Sequence, residues 1–215
     1  EYIKPFFKTG LPVIIEEWFI AGVILLEVNI SNATGVIGSA SYGVVSKLEQ
    51  VVMVIGASFK TMATVTVGQF IGNKQVKESV KVMKQGLKIV TIPTILIVLI
   101  VFVFPRQFCK IFVSSEDVIA TAIMYLSVVG ISHILLPTRQ LLQGFILGTG
   151  HTKFVLFTST LASIVEVITI IILRNTNIDN LVALGIGILL FVVTKIVLET
   201  IYFFSNKWQQ EVIEK

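Results

Sequence analysis

Residues Ser41–Lys74, SYGVVSKLEQVVMVIGASFKTMATVTVGQFIGNK, decide how the rest of the chain is read. At about 1.5 Å of rise per residue, roughly 20 residues cross the ~30 Å hydrocarbon core of a bilayer, and Tyr42 to Gly72 exceeds that length. Yet the segment carries Lys47, Glu49, Gln50, Lys60 and Gln69. A charge at the bilayer centre costs at least ~2.5 kcal/mol, so such groups need a polar cavity, a partner or the interface. Glu49 and Lys60 stand eleven positions apart, which on a helix puts them within about 20° of one another. Met53 and Gly56 fall on the same stripe. The reading is a membrane helix with a polar face that lipid does not see.

Composition points the same way. The chain is 54% hydrophobic and 14% charged, with a mean hydropathy of +0.90. Soluble domains carry about 25% charged residues, so runs this apolar indicate an all-α integral membrane protein. A net charge of +4 raises the question of nucleic acid, but the basic residues sit at helix ends, where topology explains them. No nucleic-acid partner is expected. The single cysteine, Cys109, excludes an intrachain disulfide and any multi-cysteine metal site, and reads as an inert thiol. The chain starts at Glu1 without a signal-peptide pattern, so we expect a piece of a longer polypeptide.

In chain order, residues 1–10 read as an interfacial lead-in with Lys4 and Lys8 among aromatics. Six spans follow, at about 11–30, 42–72, 83–104, 118–148, 154–173 and 181–204, forming a single lobe over 1–215. Pro12 falls in the first turn of the first helix, where its missing N–H does no harm. Asn29 to Ser41, small and uncharged, is expected to be a loop. Lys74, Lys77, Lys81, Lys84 and Lys88 recur at three- and four-residue steps, the pattern of a basic helix start. Pro105–Arg106 ends the third helix, and residues 106–117 form a second interfacial segment. Lys4, Lys8, the five loop lysines, Lys153, Lys207 and Lys215 share one side, against Arg106, Lys110 and Arg174 on the other. The positive-inside rule then places both termini in the cytoplasm, and the plasma membrane is the expected location.

Several motifs carry a resemblance. Tyr42-Gly43, Lys47-x-Glu49 and a closing VGQxxG at Val67, Gly68, Gln69 and Gly72 resemble the second helix of a lobe of the multidrug and toxin extrusion (MATE) transporters. Lys8-Thr9-Gly10-Leu11-Pro12 is similar to the family's basic-x-GLP opening. Phe104-Pro105-Arg106, with Phe112, Asp117 and Val118, resembles its FPR link. Gln143-Gly144 through Gly148-Thr149-Gly150-His151-Thr152-Lys153 resembles its RG-x-G-DT-R/K turn, with His151 in place of Asp and Gln143 in place of Arg. The resemblance implies one six-helix lobe, the carboxy-terminal one, of a twelve-helix transporter. It further implies a second lobe as partner, a central cavity, and export of organic cations or drugs driven by Na+ or H+. No cofactor is implied.

The charged residues inside the spans are the candidates for substrate or coupling-ion contact. Glu16, Glu17, Glu49 and Lys60 come first, and Glu27, His133, Arg139 and Glu166 second. Burial raises a carboxylate pKa and a nearby cation lowers it, so one carboxylate can exchange a proton or Na+ for a cationic substrate. Glu16 and Glu27 share a face of the first helix while Glu17 points about 100° away. Against this stand plainer readings: Glu16 and Glu17 at the interface, Lys60 in a structural ion pair, Arg139 paired with Glu166, and His133 simply packed. Lys195 and Glu199, spaced i,i+4, read as a local pair near the helix end. No Walker loop, HExxH, GxSxG or metal-ligand cluster appears, so the chain reads as no enzyme. The alternatives are a lipid-linked polysaccharide flippase of the same superfamily and a non-transporting assembly subunit.

The topology is testable. A cysteine placed at Lys77 should resist membrane-impermeant maleimide in intact cells and react after permeabilisation; efficient labelling from outside would reverse the orientation.

Overall fold

The structure, a computed structural model, describes residues 3–205 and 208–209. Of Lys4 it describes the backbone only, and Lys207 and Lys215 lie outside the described residues. Among the described residues seven helices follow in order: α1 (Ile3–Asn32), α2 (Gly35–Gly72), α3 (Val76–Val103), α4 (Pro105–Lys110), α5 (Glu116–Gly148), α6 (Thr152–Arg174) and α7 (Asn180–Phe204). Short turns reverse the chain after α1, α2 and α5, so neighbouring helices run antiparallel. The turns at 73–75 and 149–151 mark what we call the basic end. Those at 33–34 and 175–179 mark the opposite end.

α5 is the axis of the bundle. It packs against α2 most extensively, then α7 and α3, and also α4 and α6. Its sequence explains why. Apolar side chains are as content in lipid as in protein, so packing in a membrane is governed by small residues and polar contacts. α5 supplies both, and it buries Gly130, Ser132, Pro137, Gln140, Gln143 and Gly144. The tightest seam lies between Gly144 and Gly148, a Gly-x-x-x-Gly pair, and α2. A Cβ at Gly144 would run into the Lys60 backbone, and one at Gly148 would meet the Thr64 carbonyl at 2.8 Å. Thr64 Oγ1 donates to the Gly144 carbonyl at 3.2 Å, and near the other end Ser41 Oγ donates to the Val118 carbonyl at 3.0 Å. The polar stripe of α2 thus turns toward α5. Met53 Sδ accepts from Gln140 Nε2 at 2.9 Å, and Gly56 admits Gln140 and Pro137 at close range.

Among the described residues five helices (α2, α3, α5, α6 and α7) are long and apolar enough to cross a membrane. α1 has the length, with Glu16, Glu17 and Glu27 along it. The fold resolves the difficulty by inversion. α1 buries Glu16 and Glu27 and exposes Leu11, Ile14, Trp18, Phe19, Ile24 and Leu25. Its outward face is therefore apolar, as a sixth span requires. α3 likewise shows lipid a stripe of Ile89, Ile92, Leu96, Leu99, Ile100 and Val103. At the basic end Trp208 is buried against Phe145 and Phe203 and donates its Nε1–H to the Phe203 carbonyl.

Residues 3–10 are already helical, so Pro12 lies inside α1 and not in its first turn as expected. Asn29 to Ser41 is not a loop: α1 runs to Asn32 and α2 starts at Gly35, whose φ of +81° makes the turn. The hydroxyls that suggested a loop fold back on the helices instead, Ser31 Oγ to the Val28 carbonyl and Ser41 Oγ to the Ile37 carbonyl. The 106–117 segment contains the short helix α4, held to α5 by Arg106 and Lys110 on Glu116 at 2.6 and 3.5 Å. Cys109 is the buried residue of α4, and burial pushes its thiol pKa up.

The α2–α5 seam yields a stability test. Gly144→Ala should cost about 1–3 kcal/mol, since backbone rather than a flexible side chain must give way. Gly43→Ala, with nothing within 4 Å of its Cβ, should leave the thermal midpoint nearly unchanged. Equal midpoints for the two variants in detergent would refute the seam.

Candidate functional site

The buried polar groups gather at two levels. The level nearer the basic end is built on Lys195, which α7 places on its buried stripe with Ile188, Val192 and Glu199. Lys195 Nζ donates to Glu16 Oε1 on α1 at 2.9 Å, to Gln143 Oε1 on α5 at 3.1 Å and to Ser159 Oγ on α6. Gln143 Nε2 and Ser159 Oγ also donate to Glu16 Oε1, at 2.8 and 2.6 Å. Glu199 Oε1 stands 3.8 Å from Lys195 Nζ and accepts from Thr158 Oγ1 at 3.3 Å, while its Oε2 receives no donor from the described residues. Glu16, Lys195, Ser159 and Glu199 are all 0% exposed. One network therefore ties four helices together.

The second level lies toward the opposite end. Tyr42 Oη on α2 donates to Glu27 Oε2 on α1 at 3.0 Å. The carboxyl of Glu166 on α6 lies within hydrogen-bonding reach of the Glu27 carboxyl. Glu166 is 2% exposed, and its Oε1 receives no donor among the described residues. Glu49, half-buried on α2, looks toward the same cluster. Between α1 and α2 this level opens into a cavity of about 940 Å³, lined by Glu27, Tyr42, Ser46, Lys47, Glu49 and Met53 among apolar residues of both helices and of the segment that joins α4 to α5. The cavity exists because α1 leans chiefly on α6 and touches α2 much less.

Arg139 stands between the levels. It is 5% exposed, and its guanidinium lies over the Phe191 ring at 5.4 Å, while Nε and Nη1 find no acceptor among the described residues. Its charge acts on Glu199 and Glu16 on one side and on Glu49 on the other. The expected Arg139–Glu166 ion pair is absent; Glu166 meets Glu27 instead.

The other candidates separate clearly. Glu16 and Glu17, equivalent by sequence, divide: Glu16 enters the network, and Glu17 stays exposed and pairs with Lys60 at 3.1 Å. Lys60 thus makes the structural pair, on the rim of α1 and α2. His133 is 1% exposed with no partner for Nδ1, and joins neither level. The polar groups form two levels and a rim pair. Among the described residues no three of His, Cys, Asp and Glu converge as a metal-ligand set.

Lys195 is the residue that sequence reasoning missed. Its i,i+4 partner suggested a local pair. The signal was the 188–192–195–199 stripe, whose three- and four-residue steps continue an apolar buried face. Small residues at Gly185 and Gly187, packed on Val128 and Ile170, mark that same side of α7 as inward.

Comparison with known proteins agrees with this architecture. The MatE family model matches residues 12–172. A probable multidrug resistance protein NorM from Thermotoga maritima is 21% identical over 213 residues. That alignment covers 98% of this chain and 46% of the relative, so the chain spans less than half the relative's length.

The Lys195 network can be dissected by a double-mutant cycle. Lys195→Met should lower stability by about 3–5 kcal/mol, because it leaves Glu16 and Glu199 without their buried cation. Adding Glu16→Gln should recover part of that loss. Additive losses in thermal unfolding would show that the two residues do not interact.

Proposed function

The chain belongs to the MatE family, and from that premise we propose that it is one six-helix lobe of an ion-coupled exporter of organic cations. The protein is a multi-pass membrane protein, and its aligned relative carries a multidrug resistance name. The complete transporter pairs this lobe, the carboxy-terminal one, with a second. It lies in the plasma membrane with both ends of this lobe cytoplasmic, as the lysines of the basic end favour. It is a transporter rather than an enzyme.

One observation carries this reading: the cavity between α1 and α2 presents two carboxylates, Glu27 and Glu49, against a single lysine. Lys47 is exposed on a flexible stem and can reach the interface, which leaves the carboxylates in surplus. In a low-dielectric wall, such groups must hold a proton or recruit a cation. A coupling proton or sodium ion and a cationic substrate then compete for one place. Competition of this kind yields antiport when two conformations differ in affinity. Tyr42 and Met53 add aromatic and polarisable surface suited to a delocalised organic cation.

Of the four leading candidates, Glu16, Glu17, Glu49 and Lys60, we take Glu49 as the principal one. Glu16 is saturated by Lys195, Gln143 and Ser159, and Glu17 is held by Lys60. In vesicles containing the complete transporter, Glu49→Gln should abolish efflux of a cationic dye driven by a proton or sodium gradient. Glu17→Gln should retain most of it. Parental rates in Glu49→Gln and in Glu27→Gln would defeat the reading.

A further inference from the structure

α3 packs inward through Ser79, Met83, Gly86 and Val90, with Gly86 lying against Leu141 of α5. Each of those four residues follows a lysine by two positions, about 200° round a helix. Lys77, Lys81, Lys84 and Lys88 therefore point away from the bundle, and all four are exposed. In steps of three and four the same line runs on through Ile92, Leu96, Leu99 and Val103, which are bulky, apolar and exposed. Protein contacts inside a membrane favour small and polar residues, so the apolar part of this line faces lipid.

Length sets the depth of the lysines. α3 has 28 residues, about 42 Å of helix, against a hydrocarbon core of ~30 Å. Counted back from Val103, at the end where Pro105 and Arg106 follow, a span of about 20 residues reaches Lys84. Lys84 then stands at the edge of the hydrocarbon. Lys88 lies one turn inside it, with a stem long enough to bring its ammonium out to the headgroups. Lys81 and Lys77 follow in the headgroup layer. The protein does not compensate this charge. Lys81 pairs with Glu78 at 2.6 Å, while Lys77, Lys84 and Lys88 have no carboxylate partner among the described residues. A helix start is itself electropositive, so the backbone adds to the excess.

We propose that this face holds an anionic phospholipid of the leaflet at the basic end, its phosphate on Lys84 and Lys88 and an acyl chain along Ile92 and Leu96. The headgroup carries net negative charge. A zwitterionic lipid would bring an ammonium to a stripe whose one carboxylate, Glu78, is already taken by Lys81. A soluble phosphate would use the lysines and leave Ile92 and Leu96 uncovered; a phospholipid covers both. Positive-inside topology needs only the number of lysines at this end. Their alignment on one outward face, continuous with residues that meet acyl chains, is the added feature. None of these residues lines the cavity or joins either buried level, so the lipid stands outside the transport reading.

The test is native mass spectrometry of the complete polypeptide, delipidated in a mild detergent and titrated with phosphatidylglycerol or phosphatidylcholine. Phosphatidylglycerol should bind more tightly. Each lysine near a membrane surface contributes about fivefold, so Lys84→Gln with Lys88→Gln should weaken the first phosphatidylglycerol about 25-fold, and either change alone about fivefold. Phosphatidylcholine binding should not move. Lys84→Arg with Lys88→Arg, which keeps the charge, should bind as the parent does. Lys8→Gln with Lys153→Gln, which removes equal charge from exposed positions elsewhere at the same end, should do the same. Glycerophosphoglycerol, the headgroup without acyl chains, should not displace the lipid at equal concentration. Equal affinity for the two lipids, parental binding in the Lys84–Lys88 glutamine variant, or an equal loss in the Lys8–Lys153 variant would overturn the proposal. Displacement by glycerophosphoglycerol would overturn it too, and would assign the lysines to a soluble phosphate.

Discussion

Hydrocarbon solvates an apolar side chain about as well as a protein interior does, and the rest of this structure depends on that fact. It removes the force that would normally hold a helix to its neighbours, and leaves polar contact and close backbone approach in its place. α1 shows the consequence most plainly. Its anchors are Glu16, tied to α5, α6 and α7 at the basic end, and Glu27, tied to α2 and α6 at the other. The α2–α5 pair uses the second device, glycines that let one backbone lie on the other. The cavity is the space left where one kind of joint meets the other.

The two levels also divide the labour of charge. Near the basic end, Lys195 compensates Glu16 directly and Glu199 at longer range, so that level is close to self-sufficient. Toward the opposite end carboxyl groups predominate, and the nearest buried cation, Arg139, rests over Phe191 without an ion-pair partner among the described residues. A compensated level serves stability. An undercompensated one is where a mobile ion has a place to go.

Much of this was legible in the sequence. Period and length gave the helices, and the eleven-residue interval between Glu16 and Glu27 put both on the inner face of α1. The mispredicted loop at Asn29 to Ser41 shows a limit of composition: serine hydroxyls that serve a turn in water serve a helix just as well when its carbonyls are in reach. Which of Glu16 and Glu17 turns inward depends on the lean of α1 toward α6, a tertiary fact that adjacent identical residues cannot encode. The Arg139–Glu166 pairing failed for a similar reason. Depth along a helix is readable from sequence, but azimuth between non-adjacent helices is not. Lys195 was recoverable, had its buried stripe been weighed above its spacing from Glu199.

The inversion of α1 also bears on how this helix can drift over evolutionary time. In a water-soluble protein the tolerant positions of a surface helix are polar and the sensitive ones apolar. On α1 the order is reversed. Trp18, Leu25 and their outward neighbours face a solvent that accepts any greasy residue, so their identities are free to wander. The two glutamates have no such freedom, since even aspartate would fall short of contacts that span several helices. Saturation mutagenesis of α1 would therefore draw an inverted tolerance map, with its constrained positions at the charges and its permissive ones among the hydrophobic residues.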